Sequence, residues 1–274
     1  MISREQAPFE VLGDVRTGLA QSYYADAAQN ALLLDELDQV LVALSRAGVP
    51  VIVLKGAALG RELYPDPALR PMNDLDLLVQ PSKLRIAMKA LEICGYQVLK
   101  STYHVVLQGG PRQSVTIELH WNLIAASSDR MEKYLDGVWK RAIPLNADDS
   151  PAFRMHPADC ILYLCAHLIW QHSQERARLL WFYDLYLLLQ RYGQQMDWGE
   201  LADLAIESGW GQPLYRALLG VEQRFGTQHP AGFMDELAHQ APEVRRLPGQ
   251  GERGKSPSRN PASSSSWSRN SIRA

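Results

Sequence analysis

The sequence predicts an α+β protein: a small mixed β-sheet with flanking helices, followed by a helical domain. Three observations carry this. Apolar residues at three-to-four spacing alternate with short β-branched or alternating runs up to about residue 121, and from about residue 128 the pattern is helical almost throughout. The third is length: 274 residues are enough for one large domain or two ordinary ones.

Positions 33, 37, 40, 41 and 44 predict an amphipathic helix over 26–47, ended by Gly48 and Pro50. The continuous apolar run 51–54 (VIVL) predicts a strand buried on both faces. Gly56 opens a short helix to about Leu63, and YPDP (64–67) is turn chemistry. DLDLLV (74–79) reads as a second strand, and Pro81 with Ser82 start a helix that closes at Gly95. Strand-like runs follow at 96–100, 103–108 and 114–121, with GGPR pointing to a hairpin between the last two. Helix is expected over 157–190, 199–208, 212–225 and 231–239. The expected organisation is an N-terminal extension (1–24), a catalytic α/β unit (25–148), a helical domain (149–246) and a disordered Ser/Pro/Arg-rich tail (247–274). That tail has too little apolar area to offset the entropy of ordering.

Composition excludes several classes. With 46% hydrophobic and 21% charged residues the chain is not disordered as a whole, and 28 basic against 30 acidic residues give no global basic excess for nucleic acid. Cys94, Cys160 and Cys165 are odd in number and lack C-x-x-C spacing, so no disulfide partner or zinc knuckle is expected; each reads as a small apolar core residue in a reducing compartment. The start MISREQAPFE lacks the regions of a signal peptide, and no apolar run spans a bilayer, so the expected location is the cytoplasm, with no membrane partner. No P-loop, dinucleotide glycine fingerprint, nucleophile elbow or H-E-x-x-H occurs.

The chemistry is concentrated in 54–79 and 117–121. Alternation puts Asp74 and Asp76 on one face of their strand and Leu75, Leu77 and Val79 on the other; in the later strand Glu118 and His120 lie opposite Val115, Ile117, Leu119 and Trp121. If these strands are neighbours, three carboxylates converge, and their repulsion calls for a cation. Hard oxygen ligands suit Mg²⁺ or Mn²⁺, and two ions about 4 Å apart can activate a nucleophile and stabilise a leaving phosphate. A lone D-x-D is a common solvated strand edge; here Lys55 and Gly56 stand at a strand-to-helix turn and Arg70 precedes the D-x-D, a basic and glycine element suited to a triphosphate.

These residues resemble the polymerase-β-like nucleotidyltransferase superfamily, most closely its group of bacterial uncharacterised nucleotidyltransferases. The resemblance rests on Leu54-Lys55-Gly56, the block Tyr64 through Val79, and Glu118-Leu119-His120-Trp121, and runs more weakly through 157–172 and 179–185. It implies the polymerase-β-like fold, with Asp74 and Asp76 binding catalytic Mg²⁺ or Mn²⁺ and Glu118 as the third carboxylate that helps activate the acceptor. It further implies metal-dependent transfer of a nucleoside monophosphate from an NTP to a hydroxyl or phosphate acceptor, with release of pyrophosphate. The acceptor is a small molecule or, alternatively, a peptide or RNA. The chain departs from the superfamily's usual Gly-Ser turn at Lys55-Gly56, which bears on how the triphosphate is held. The rival reading is a catalytically silent nucleotide-binding or protein-interaction module on the same fold.

Lys55, Gly56 and Arg70 are assigned to the phosphates. His120 either contacts nucleotide, orients a carboxylate or simply packs. Asp184 sits in an apolar run and is expected to pair with Arg176, Arg178 or a histidine, as a fixed tie between helices. His167 and His172, about 140° apart around a helix, do not share a metal. Trp170 and Trp181 are expected as core anchors.

Overall fold

A seven-stranded mixed sheet in the order β3-β4-β5-β2-β1-β7-β6 organises the computed structural model, which describes residues 13–110, 115–124, 129–145, 151–171, 178–226 and 229–240. The strands are β1 (Val51–Val53), β2 (Leu75–Val79), β3 (Tyr96–Ser101), β4 (His104–Gly109), β5 (Val115–His120), β6 (Ile143–Pro144) and β7 (Ala152–Arg154). At the centre, β2 runs antiparallel to β1 and parallel to β5. The tail expected to be disordered lies outside the described residues.

Alternation divides the core between the two faces of this sheet. Val51, Val53, Leu75, Leu77, Val79, Ile117 and Leu119 pack with Leu33, Leu37, Val40 and Leu44 of α1 (Gly13–Arg46) and with Ala87 and Leu91 of α3 (Leu84–Ile93). The first helix is thus the one its spacing predicts, though it begins at Gly13, inside the expected N-terminal extension. From the other face Ile52, Leu54 and Leu78 join a second core shared with the helical half: α4 (Asp129–Arg141), α5 (Pro157–Ala166), α6 (Leu179–Tyr192), α7 (Trp198–Ser208), α8 (Gly211–Phe225) and α9 (Phe233–Gln240). A strand buried on both faces is why VIVL carries no polar residue.

Two features differ from the expectations. The boundary expected at 148/149 lies outside the described residues; β7, which follows it, pairs parallel to β1 and antiparallel to β6, so strands on either side of it share one sheet. Such short segments carry no periodicity of their own; their partner strand makes them strands. Trp170, expected in the core, is 45% exposed. It lies in a π-helical turn, His167–Gln171, whose wider winding shifts the side-chain phase set by α5. All three cysteines are free thiols, packed at or beside the two cores. Among the described residues no helix is long and apolar enough to cross a membrane.

The sheet and the helical half are tied by a buried ion pair. Arg70 donates through Nη2 to Asp184 Oδ2 at 2.8 Å and through Nε to Oδ1 at 3.3 Å, and Tyr64 donates its hydroxyl to Oδ1 at 2.7 Å. The fixed tie expected for Asp184 therefore exists, but its cation comes from the segment before β2 and not from a neighbouring helix. Both side chains are nearly fully buried, at 8% and 1% exposure, so removing one partner strands the other charge. Asp184→Asn is expected to cost about 3–5 kcal/mol, read as a lower urea midpoint at unchanged slope.

Candidate active site

Pairing between β2 and β5 sets the site. Asp76 lies opposite Glu118 and Leu78 opposite His120 in the parallel register, while antiparallel β4 brings His104 opposite His120. Because Leu75 and Leu77 enter the α1/α3 core, Asp76 must point to the other face, toward the helical half. The Leu54 N–H donates to the Asp76 carbonyl at 2.9 Å, which brings the end of β1 against the same strand and delivers Lys55 to the carboxylate.

Asp76 is 5% exposed and is compensated on one oxygen. Lys55 Nζ lies 2.7 Å and His120 Nε2 3.0 Å from its Oδ1, and Oδ2 takes no hydrogen bond from the described residues. Burial alone would raise the Asp76 pKa; Lys55, followed by His120, outweighs it and holds the carboxyl far below the usual range. Burial likewise works against the Lys55 ammonium, but Asp76 keeps its pKa well above that of a free lysine. Glu118 is 26% exposed, with Oε2 3.5 Å from His120 Nε2 and Oε1 3.7 Å from His104 Nε2. Contacts with Asp76 and Glu118 overcome burial and raise the His120 pKa; at His104 burial wins and the pKa falls. Asp74, half-buried just before β2, is pushed up to about 6 by burial and then by the charges of Asp76 and Glu118.

The turn that carries Lys55 is strained. Lys55 begins α2 (Lys55–Glu62) at φ 42°, the left-handed region, which costs a residue with a Cβ about 1–3 kcal/mol. Gly56 follows with no room for a side chain: a Cβ there would lie 2.7 Å from Arg70 Nη1 and 3.0 Å from Met72 Cγ. The segment that presses on it is gripped from both sides. Asn30 of α1 donates to the Pro67 and Arg70 carbonyls at 2.8 and 2.9 Å, and Tyr23 donates to Asp66 at 2.5 Å, while Arg70 holds Asp184. A small void of about 20 Å³, bordered by Lys55, Arg70, His167, Trp181 and Asp184, separates the turn from the helical half. That is room for about one water.

The structure thus brings Lys55, Asp76, Glu118 and His120 together, with Asp74 at their edge. Arg70 and Gly56 lie next to them, but Arg70 is spent on Asp184 and the missing side chain of Gly56 makes room for Arg70. Two residues were missed. His104 was readable, since alternation in YHVVLQ puts it on the face of its strand that meets His120. Tyr163, fully buried on α5 and close enough to Lys55 for the two to interact, gives no local signal. A ligand atom from each of Asp76, Glu118 and His120 lies within 4.8 Å of the others, the one such group among the described residues. Asp74, expected as a metal ligand, is not in this group; two carboxylates and an imidazole make a donor set that is mainly hard oxygen and fits Mg²⁺ or Mn²⁺. A shallow cavity of about 330 Å³ along α7 and α9 shares no residue with this centre.

The centre is thus a carboxylate pair on adjacent parallel strands, flanked by an ammonium and two imidazoles, beside a helical half. Comparison with known families is specific: the model described as uncharacterised nucleotidyltransferase matches residues 3–226, and the chain belongs to that family. No curated protein matches it. Among solved structures, the antibiotic-resistance factor ANT(2'')-Ia in solution is similar at TM-score 0.46 and 13% identity, over 73% of this chain and 99% of that one. The same factor in complex with adenylyl-2''-tobramycin is similar at TM-score 0.46 and 13% identity, over 67% and 97%. An antigenic nucleotidyltransferase-like protein from Paracoccidioides brasiliensis is similar at TM-score 0.44 and 14% identity, over 78% and 91%. These are loose likenesses.

The raised Asp74 pKa has a consequence for stability. Between about pH 4, where a free Asp titrates, and about pH 6 the folded state binds this proton more tightly than the unfolded chain. This group's contribution is therefore present at low pH and lost as pH rises through 6. In metal-free protein, Asp74→Asn should remove that downward component from a plot of unfolding free energy against pH; an unchanged plot would contradict the assignment.

Proposed function

We propose that this chain catalyses metal-dependent transfer of a nucleoside monophosphate from an NTP to a hydroxyl or phosphate acceptor, releasing pyrophosphate. The observation that best supports the reading is the pairing of Asp76 with Glu118 at one register of adjacent parallel strands, in a chain of a nucleotidyltransferase family. Asp74, Asp76 and Glu118 would hold Mg²⁺ or Mn²⁺, which when bound lowers the pKa of an acceptor hydroxyl and neutralises phosphate charge. Glu118, the more exposed of the two strand carboxylates, would take the acceptor's proton. His120 keeps Asp76 oriented through Oδ1. The Lys55 ammonium has three donors, so it can hold Asp76 and still meet a phosphate oxygen. Gly56, in the first turn of α2, would contribute its backbone N–H. Arg70, engaged with Asp184, serves to keep this turn in place. The acceptor is a small molecule, or a peptide or RNA, bound on the face shared with the helical half.

A silent binding module is the second reading, and one observation favours it: Asp76 Oδ1 is already saturated by Lys55 and His120. Thermal unfolding with each NTP, with and without Mg²⁺ or Mn²⁺, separates the two. One NTP plus metal is expected to stabilise the wild type, by about 2.7 kcal/mol at a hundred times its Kd, and the Asp74→Asn/Asp76→Asn variant should lose the effect. Stabilisation by NTP that ignores metal and both substitutions would favour the silent module.

A further inference from the structure

Lys55 is the one residue other than glycine with a positive φ among the described residues. A glycine at 55 would adopt φ 42° without strain, so retaining lysine in this conformation points to a use for its side chain. That side chain is held from several directions. Its ammonium lies 2.7 Å from Asp76 Oδ1, and its turn is fixed by the Leu54 N–H on the Asp76 carbonyl and by Arg70 packed on Gly56. His120 approaches the same Oδ1, so an incoming ion is left Oδ2 of Asp76 and Glu118, with the half-buried Asp74 outside their 4.8 Å group but close enough to feel both charges. Before any substrate binds, three carboxylates carry three negative charges. One divalent ion and one ammonium balance them; two divalent ions beside the same ammonium leave an excess of two positive charges in a mostly buried place, which is costly.

We propose that Lys55 is a fixed cation of this centre, so that Asp74, Asp76 and Glu118 hold one divalent ion, and the ammonium takes the charge role of a second. The inference rests on the metal-dependent transfer reading and deepens it. It explains why the turn carries lysine, in a strained conformation, where a glycine would be conformationally easier. It also gives the Arg70–Asp184 tie a task beyond stability: holding Gly56, and with it the ammonium, against β2.

The test is Mn²⁺ binding to the full chain without nucleotide, with free Mn²⁺ followed by electron paramagnetic resonance. The wild type is expected to bind one Mn²⁺ per chain, lost in Asp76→Asn. Lys55→Met removes a positive charge next to the ion and should bind Mn²⁺ at least ~10-fold tighter, or bind two; Lys55→Arg should behave as wild type. A purely structural lysine makes the opposite prediction, with Mn²⁺ affinity in Lys55→Met unchanged or reduced, and that result overturns the proposal. Two Mn²⁺ per wild-type chain, both lost in Asp76→Asn, also overturns it while leaving the transfer reading intact. No Mn²⁺ binding by the wild type overturns both. The wild-type count decides if Lys55→Met does not fold, which circular dichroism would reveal.

Discussion

Burying one carboxylate in the middle of a sheet is the constraint around which this molecule is built. Asp76 cannot stay ionised at 5% exposure unless donors reach it, and the strands beside it supply an ammonium and an imidazole. Lys55 comes from the end of β1, which β2 itself holds in place. His120 comes from β5, two residues beyond the Glu118 that faces Asp76. The left-handed backbone at Lys55, the missing side chain at Gly56 and the position of Arg70 then follow from bringing that ammonium to that oxygen.

The same constraint reaches the helical half through Asp184. Arg70 lies where it can limit the turn only because α6 presents a buried carboxylate to it, with Tyr64 completing the hydrogen bonds. A well-packed apolar pair would often serve stability as well or better. What the ionic version adds is a fixed direction, since a bidentate fork defines the guanidinium plane and so the wall against which Gly56 sits. The long block from Tyr64 to Arg70 is therefore mostly scaffold: Asp66 is held by Tyr23 and also caps the Pro67–Leu69 turn, and the Pro67 and Arg70 carbonyls are held by Asn30.

Much of this was legible in the sequence because period-two alternation is a strong signal. It separated Asp76 from Leu75 and Leu77, and Glu118 and His120 from Ile117 and Leu119, and those faces are the ones observed. The pairing of β2 with β5 was a condition the sequence could pose but not answer. What stayed hidden depends on distance along the chain. Arg70 and Asp184 are 114 residues apart, so a phosphate fork was the natural reading of an arginine before D-x-D. β7 is a strand only because β1 lies beside it, and Trp170 is exposed only because α5 widens into a π turn. Lys55 looked like a phosphate ligand alone; its bond to Asp76 needed the fold to be seen.

On the proposed reading, this acidic centre cleaves an NTP between the α- and β-phosphates and passes the nucleotide on. The most direct measurement incubates the chain and Mg²⁺ with NTP labelled at the α- or the γ-phosphate, with a small-metabolite extract supplying acceptors, and follows both labels. The expected result is γ label in pyrophosphate and α label in a new, larger product, with neither formed by Asp76→Asn. Release of the γ label as orthophosphate, or no turnover by a wild type that demonstrably binds both metal and NTP, would contradict it.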